Sequence, residues 1–124
     1  MKRTLFKAVF AFVGMLALVF GTTTPASAGT GGNRCLWINS GSSSYVGNVS
    51  STQSCGTPGT YHIRLFAPGF DHNFGNFYYG GGNLYGSNPV NMSFPAGSNM
   101  CSQLWRHDGG GNYSNWGDPC VSIG

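Results

Sequence analysis

Four cysteines constrain this chain more than any other feature. Cys35, Cys55, Cys101 and Cys120 are spaced by 20, 46 and 19 residues, with no C-x-x-C pair among them. Structural zinc sites are built on such close pairs, so the cysteines read as disulfides, provided the chain reaches an oxidising compartment. The N-terminus supplies that condition. Lys2, Arg3 and Lys7 form a basic head without acids, Ala8 to Phe20 is an apolar run of thirteen residues, and Ala26-Ser27-Ala28 closes a polar stretch. This is the pattern of a bacterial-type secretory signal helix cleaved between Ala28 and Gly29. The run falls short of the roughly 20 apolar residues a spanning helix needs. The sequence therefore predicts a signal peptide over 1–28 and a secreted, extracellular domain over 29–124.

Cleavage alters the electrostatics and the size. The formal charge of +3 belongs to the whole chain. Without the signal, Arg34, Arg64 and Arg106 face Asp71, Asp108 and Asp118, a net charge of zero. A neutral domain lacks the dense basic footprint that nucleic acid or an anionic membrane demands, so neither is an expected partner once the signal has gone. Removing 28 of 124 residues leaves 96, one domain. So short a chain buries only about 60–65% of its unfolded surface and gains from cross-links. Four cysteines allow three connectivities. Cys35–Cys55 and Cys101–Cys120 are favoured, because each closes a loop of about 20 residues and could clip one hairpin, stabilising by about 3 kcal/mol.

Strand signals recur along 29–124. Gly29–Asn33 is Gly-rich and reads as a flexible N-terminus. Arg34–Ile38 and Tyr45–Val49 read as the first two strands. Thr60–Phe66 is the clearest strand, with Tyr61, Ile63 and Leu65 alternating with His62 and Arg64. Beyond Ala67-Pro68-Gly69, a strand is expected near Phe74–Tyr79, then a Gly80–Asn83 turn and a loop. Val90, Met92 and Phe94 alternate in another strand. Met100–Arg106 and Cys120–Ile123 form a last pair flanking a polar loop, His107–Pro119. No segment holds a 3.6-residue apolar period, and the mature part has neither Lys nor Glu. The expected fold is all-β: a small β-sandwich, Ig-like, or a barrel, stapled by two disulfides.

Cys35-Leu36-Trp37, Cys55, Gly59–Gly69 (GTYHIRLFAPG), Met100–Trp105 (MCSQLW) and Pro119–Ile123 (PCVSI) make a recognisable layout. It resembles small secreted proteins of Gram-positive filamentous bacteria, a group without an assigned activity. The resemblance spans most of the mature chain and implies fold and export, not chemistry.

Catalytic sets are hard to assemble. Glycoside hydrolysis needs two placed carboxylates, and Asp108 and Asp118 stand where turns call for them. A ribonuclease could draw on His62, Arg64 and His107, but His62 and Arg64 fall on the wet side of their strand and the usual Glu is absent. No G-x-S-x-G nucleophile turn occurs. Asp71-His72 and His107-Asp108 could in principle converge on a metal, yet loop polarity explains both. No enzyme, cofactor or metal is expected.

Aromatic residues remain. Trp37 and Trp105, on strands beside cysteines, read as core. Tyr113 and Trp116 lie in the polar segment Gly109–Pro119, and Tyr78, Tyr79 and Tyr85 among glycines and asparagines. Rings presented among amides suit sugar recognition, since apolar sugar faces lie on the ring and amides bond the hydroxyls. The expected function is non-enzymatic binding of cell-wall or environmental polysaccharide through Tyr78, Tyr79, Tyr85, Tyr113 and Trp116. The alternative is a protein target, with Phe70–Pro89 as the rigid loop of a protease inhibitor or an antagonistic toxin.

Overall fold

The computed structural model describes residues 29–124, and the predicted signal over 1–28 lies outside them. Ten strands follow one another: β1 (Thr30–Asn33), β2 (Leu36–Asn39), β3 (Tyr45–Gln53), β4 (Gly59–Ala67), β5 (Phe70–Asn73), β6 (Phe77–Tyr79), β7 (Leu84–Ser93), β8 (Asn99–Gly109), β9 (Asn112–Gly117) and β10 (Cys120–Ser122). They form two antiparallel sheets. One runs β1-β2-β3-β7, and the other runs β9-β8-β4-β5, with β10 also on β8 and β6 also on β4. The second sheet is thus four strands wide, its edges each made of two short strands end to end.

The sheets stack as a sandwich rather than closing into one barrel. Leu36, Ile38, Val46 and Val49 of the first sheet meet Tyr61, Ile63, Leu65 and Leu104 of the second in a single core. The alternation read in β4 is what places these groups. Tyr61 and Leu65 are fully buried, while His62 and Arg64 face outward, half-covered.

Both disulfides form in the favoured pairing, Cys35–Cys55 and Cys101–Cys120. The first ties the β1–β2 turn to the segment after β3. The second joins residues directly opposite each other on β8 and β10.

Three segments differ from the sequence expectation. The stretch read as a flexible terminus is strand β1, which pairs with β2 from Thr30↔Asn39 to Asn33↔Leu36, and its entry is held by Gly29 N–H donating to Ser122 O at 2.8 Å. Backbone ladders need no side chains, so a Gly-rich strand leaves no apolar signature. The loop expected after Asn83 is the start of β7, which pairs with β3 from Leu84↔Gln53 onward. The polar loop His107–Pro119 is a hairpin. β8 continues to Gly109, Gly110 and Gly111 turn the chain, and β9 returns. Both turn glycines have positive φ, as a type I′ two-residue hairpin turn requires. This hairpin has a polar sequence because its outer face is wet.

Candidate functional site

The outer face of the second sheet carries a cluster of histidine and aromatic side chains, and a gap in its hydrogen-bond ladder shapes it. On one side of β4, β6 pairs with Gly59–Tyr61 and β5 with Arg64–Ala67, leaving His62 and Ile63 without a ladder partner there. Phe74–Asn76 arches across this interval, anchored by Phe74 N–H donating to Ile63 O at 2.9 Å. The arch leaves an open depression of about 510 Å³, lined by His62, Asn73, Phe74, Asn76, Trp105, His107 and Tyr113. Strand register brings these residues together. His62 is opposite Trp105 across β4 and β8, and His107 is opposite Tyr113 across β8 and β9.

Three rings form one wall. His62 Nδ1 and His107 Nε2 are 2.8 Å apart, one imidazole donating and the other accepting. Tyr113 stands edge-on to both, with ring centroids 4.9 Å from His107 and 5.8 Å from His62. Burial, and then the neighbouring His107, hold the His62 imidazole below its ordinary pKa of 6.5, against an opposing hydrogen bond with Asn73. The neutral form of His62 is therefore the one the fold favours. Its contribution to stability is complete above pH 6.5 and is lost as pH falls from 6.5 through the depressed folded-state value. Denaturant unfolding between pH 7.5 and pH 5 should show that decline, and His62→Gln should flatten it. An unchanged slope in the variant would remove His62 as its source.

Trp105 is held in place by a chain of polar contacts. Its Nε1–H donates to Gln103 Oε1 at 3.1 Å, the same oxygen accepts from Arg64 Nη1 at 3.0 Å, and Arg64 grips Asp71 through Nε and Nη2 at 2.9 and 2.7 Å. The Arg64 guanidinium holds the Asp71 carboxyl below its usual range. The other two acids are paired as well. Asp108 accepts from Arg106 at 2.8 Å and from Ser114 at 3.0 Å, and those bonds lower its pKa. Asp118 lies 3.6 Å from Arg34. Among the described residues each arginine thus has a carboxylate, and no carboxylate lines the depression.

The five aromatic residues singled out from sequence separate into distinct places. Tyr113, 54% exposed, stands in the depression. Tyr78 and Tyr85, 67% and 73% exposed, line a second cleft of about 280 Å³ that also reaches Ile63, Phe77 and Leu84. Tyr79 is not a surface residue. Neighbours on a strand point to opposite faces, so it enters the core at 2% exposure, its hydroxyl donating to Gly82 O at 2.6 Å. Trp116 is half-buried for the same reason: it faces inward, opposite to Tyr113, and meets Tyr61 edge-on at 6.4 Å. The reverse correction applies to Trp37 and Trp105, which read as core. Trp105 lines the depression and Trp37 is 53% exposed. Strand parity signals both, since Leu36, Ile38 and Leu104 beside them take the inward positions.

His72 does not join the other two histidines; its ring packs on Phe74, centroids 4.6 Å apart. Among the described residues, no three His, Cys, Asp or Glu side chains gather in a metal-holding group. The segment Phe70–Pro89, considered as an inhibitory loop, is mostly strand. Compared with protein-family models, with curated proteins and with solved structures, the chain matches none.

Proposed function

We propose that this domain is an exported, non-enzymatic binder of neutral carbohydrate, and that the depression beside His62 receives the sugar. One observation carries the reading: Trp105 and Tyr113 share a single concave surface with the Asn73 and Asn76 amides and two imidazoles, and no carboxylate enters it. Apolar sugar faces pack on such rings, while uncharged donors and acceptors match hydroxyl groups without the desolvation cost of burying ions. Two intramolecular disulfides suit an oxidising setting, and the signal pattern over 1–28 accords with work outside the cell.

Protein purified after expression of the full chain should be retained on insoluble peptidoglycan, chitin or cellulose. Tyr113→Ala, which deletes an exposed ring without touching the core, should weaken retention about tenfold, the loss of one well-placed contact. Equal retention of wild type and variant would remove the depression as the binding site.

A further inference from the structure

We propose that the opposite side of the sandwich, the outer face of the β1-β2-β3-β7 sheet, is a second binding surface for an extended neutral glycan chain. Trp37 and Tyr85 are its stacking rings. The proposal rests on the reading of the domain as a carbohydrate binder and adds a site to it.

Register places the surface. Gly32 is opposite Trp37, Trp37 opposite Thr52, and Thr52 opposite Tyr85, so these four residues line one row across the sheet on one face. Trp37 lies flat. A Cβ on Gly32 would run into Cδ2 and Cε2, the two ring-fusion carbons in the middle of the indole. Only a ring seated face-down on the β1 backbone puts those carbons nearest. One indole face therefore rests on Gly32, and the 53% exposure of the residue makes the other face available. Tyr85 stands in the same row at the far edge of the sheet, two strands from the Trp37 backbone and three from the β1 strand that carries the indole. Two exposed rings set apart along one row can stack on different sugars of one extended chain.

The chemistry of the face narrows the occupant. The four strands read TGGN, LWIN, YVGNVSSTQ and LYGSNPVNMS, without a charged residue. Asn39, Ser50 and Ser87 form the next row, each opposite its neighbour. Hydroxyls and amides beside two exposed rings match a neutral polyhydroxylated chain. They offer nothing to a phosphate backbone, an acidic polysaccharide or an anionic membrane. With the depression on the other sheet, a domain carrying both surfaces would hold two chains, or two stretches of one, on opposite sides.

Binding to microcrystalline cellulose and to chitin, measured by sedimentation of protein expressed as the full chain, tests both surfaces separately. Trp37→Ala and Tyr85→Ala are each expected to weaken binding about tenfold. Gly32→Ala keeps the indole but lifts it from its seat, and should also weaken binding. Tyr85→Ala alters the most exposed of these rings, so unchanged thermal unfolding there separates lost binding from lost fold. If Trp37→Ala and Tyr85→Ala weaken binding and Tyr113→Ala does not, the sheet face stands and the depression is wrong. Losses in all three support both surfaces. If only Tyr113→Ala has an effect, the second surface is overturned, and absence of wild-type binding to either polymer overturns it as well.

Discussion

Serine at both Cys101 and Cys120 is expected to lower the free energy of unfolding by about 3 kcal/mol, the entropy of closing a loop of roughly 20 residues in the unfolded chain. The bond joins β8 to β10, a strand of three residues whose ladder comprises Cys120↔Cys101, Val121↔Met100 and Ser122↔Asn99. That short ladder brings Val121 and Ile123, both essentially unexposed, into the core. Further hydrogen bonds hold the same segment: Ile123 N–H donates to Ser98 O, and Gly97 N–H to Ile123 O, each at 2.8 Å. Small domains are stable by about 5–15 kcal/mol, so the loss is a large fraction of the total. Urea unfolding of wild type and of the double serine variant, both without added reductant, gives the difference directly. A change below about 1 kcal/mol would show that native contacts, not the cross-link, hold β10.

Tyr61→Ala is expected to cost about 3–5 kcal/mol, the range for emptying an aromatic site in a packed core. Tyr61 is fully buried on the inner face of β4. Its ring lies against Phe77 at 6.2 Å, Tyr79 at 5.9 Å and Trp116 at 6.4 Å. Its hydroxyl donates to Thr57 O at 2.7 Å, and burial raises the phenol above its usual pKa. Tyr61→Phe keeps the packing and removes only that hydroxyl, so about 1 kcal/mol is expected for it. Comparing the two variants by denaturant unfolding separates ring from hydroxyl. Equal penalties would mean that the hydrogen bond, rather than the aromatic cluster, organises this end of the sandwich.

Where the sequence was legible, one physical signal was strong and local. Alternation in β4 is visible because its inner residues are large and its outer ones polar, and the cysteine pairing follows from loops of similar length. The strands without a sequence signal are those that lack apolar alternation. β1 is half glycine, β7 is largely exposed for its first half, and β9 belongs to a polar hairpin. The candidate site was harder to see. His62 and His107 lie 45 residues apart, and only the β4–β8 register brings them to one face. Each looks like an ordinary solvated residue by itself. Composition misplaces Tyr79 and Trp116, because rings among Gly, Asn and Ser suggest a surface. Parity against buried Tyr61 and exposed Tyr113 would have turned them inward.

β7 is an edge of the uncharged sheet, and an unpaired edge is a template on which further chains can add. Many proteins guard such an edge with lysine, and the described residues contain none. The guard here is in the backbone. Pro89 has no N–H to offer. Between Val46↔Met92 and Asn48↔Pro89, β7 carries one residue more than β3, with Asn91 at a φ of 54° in the left-handed region. The edge is thereby bent and broken midway along its length. An uncharged sheet thus carries a margin whose shape, instead of electrostatic repulsion, opposes the addition of further strands.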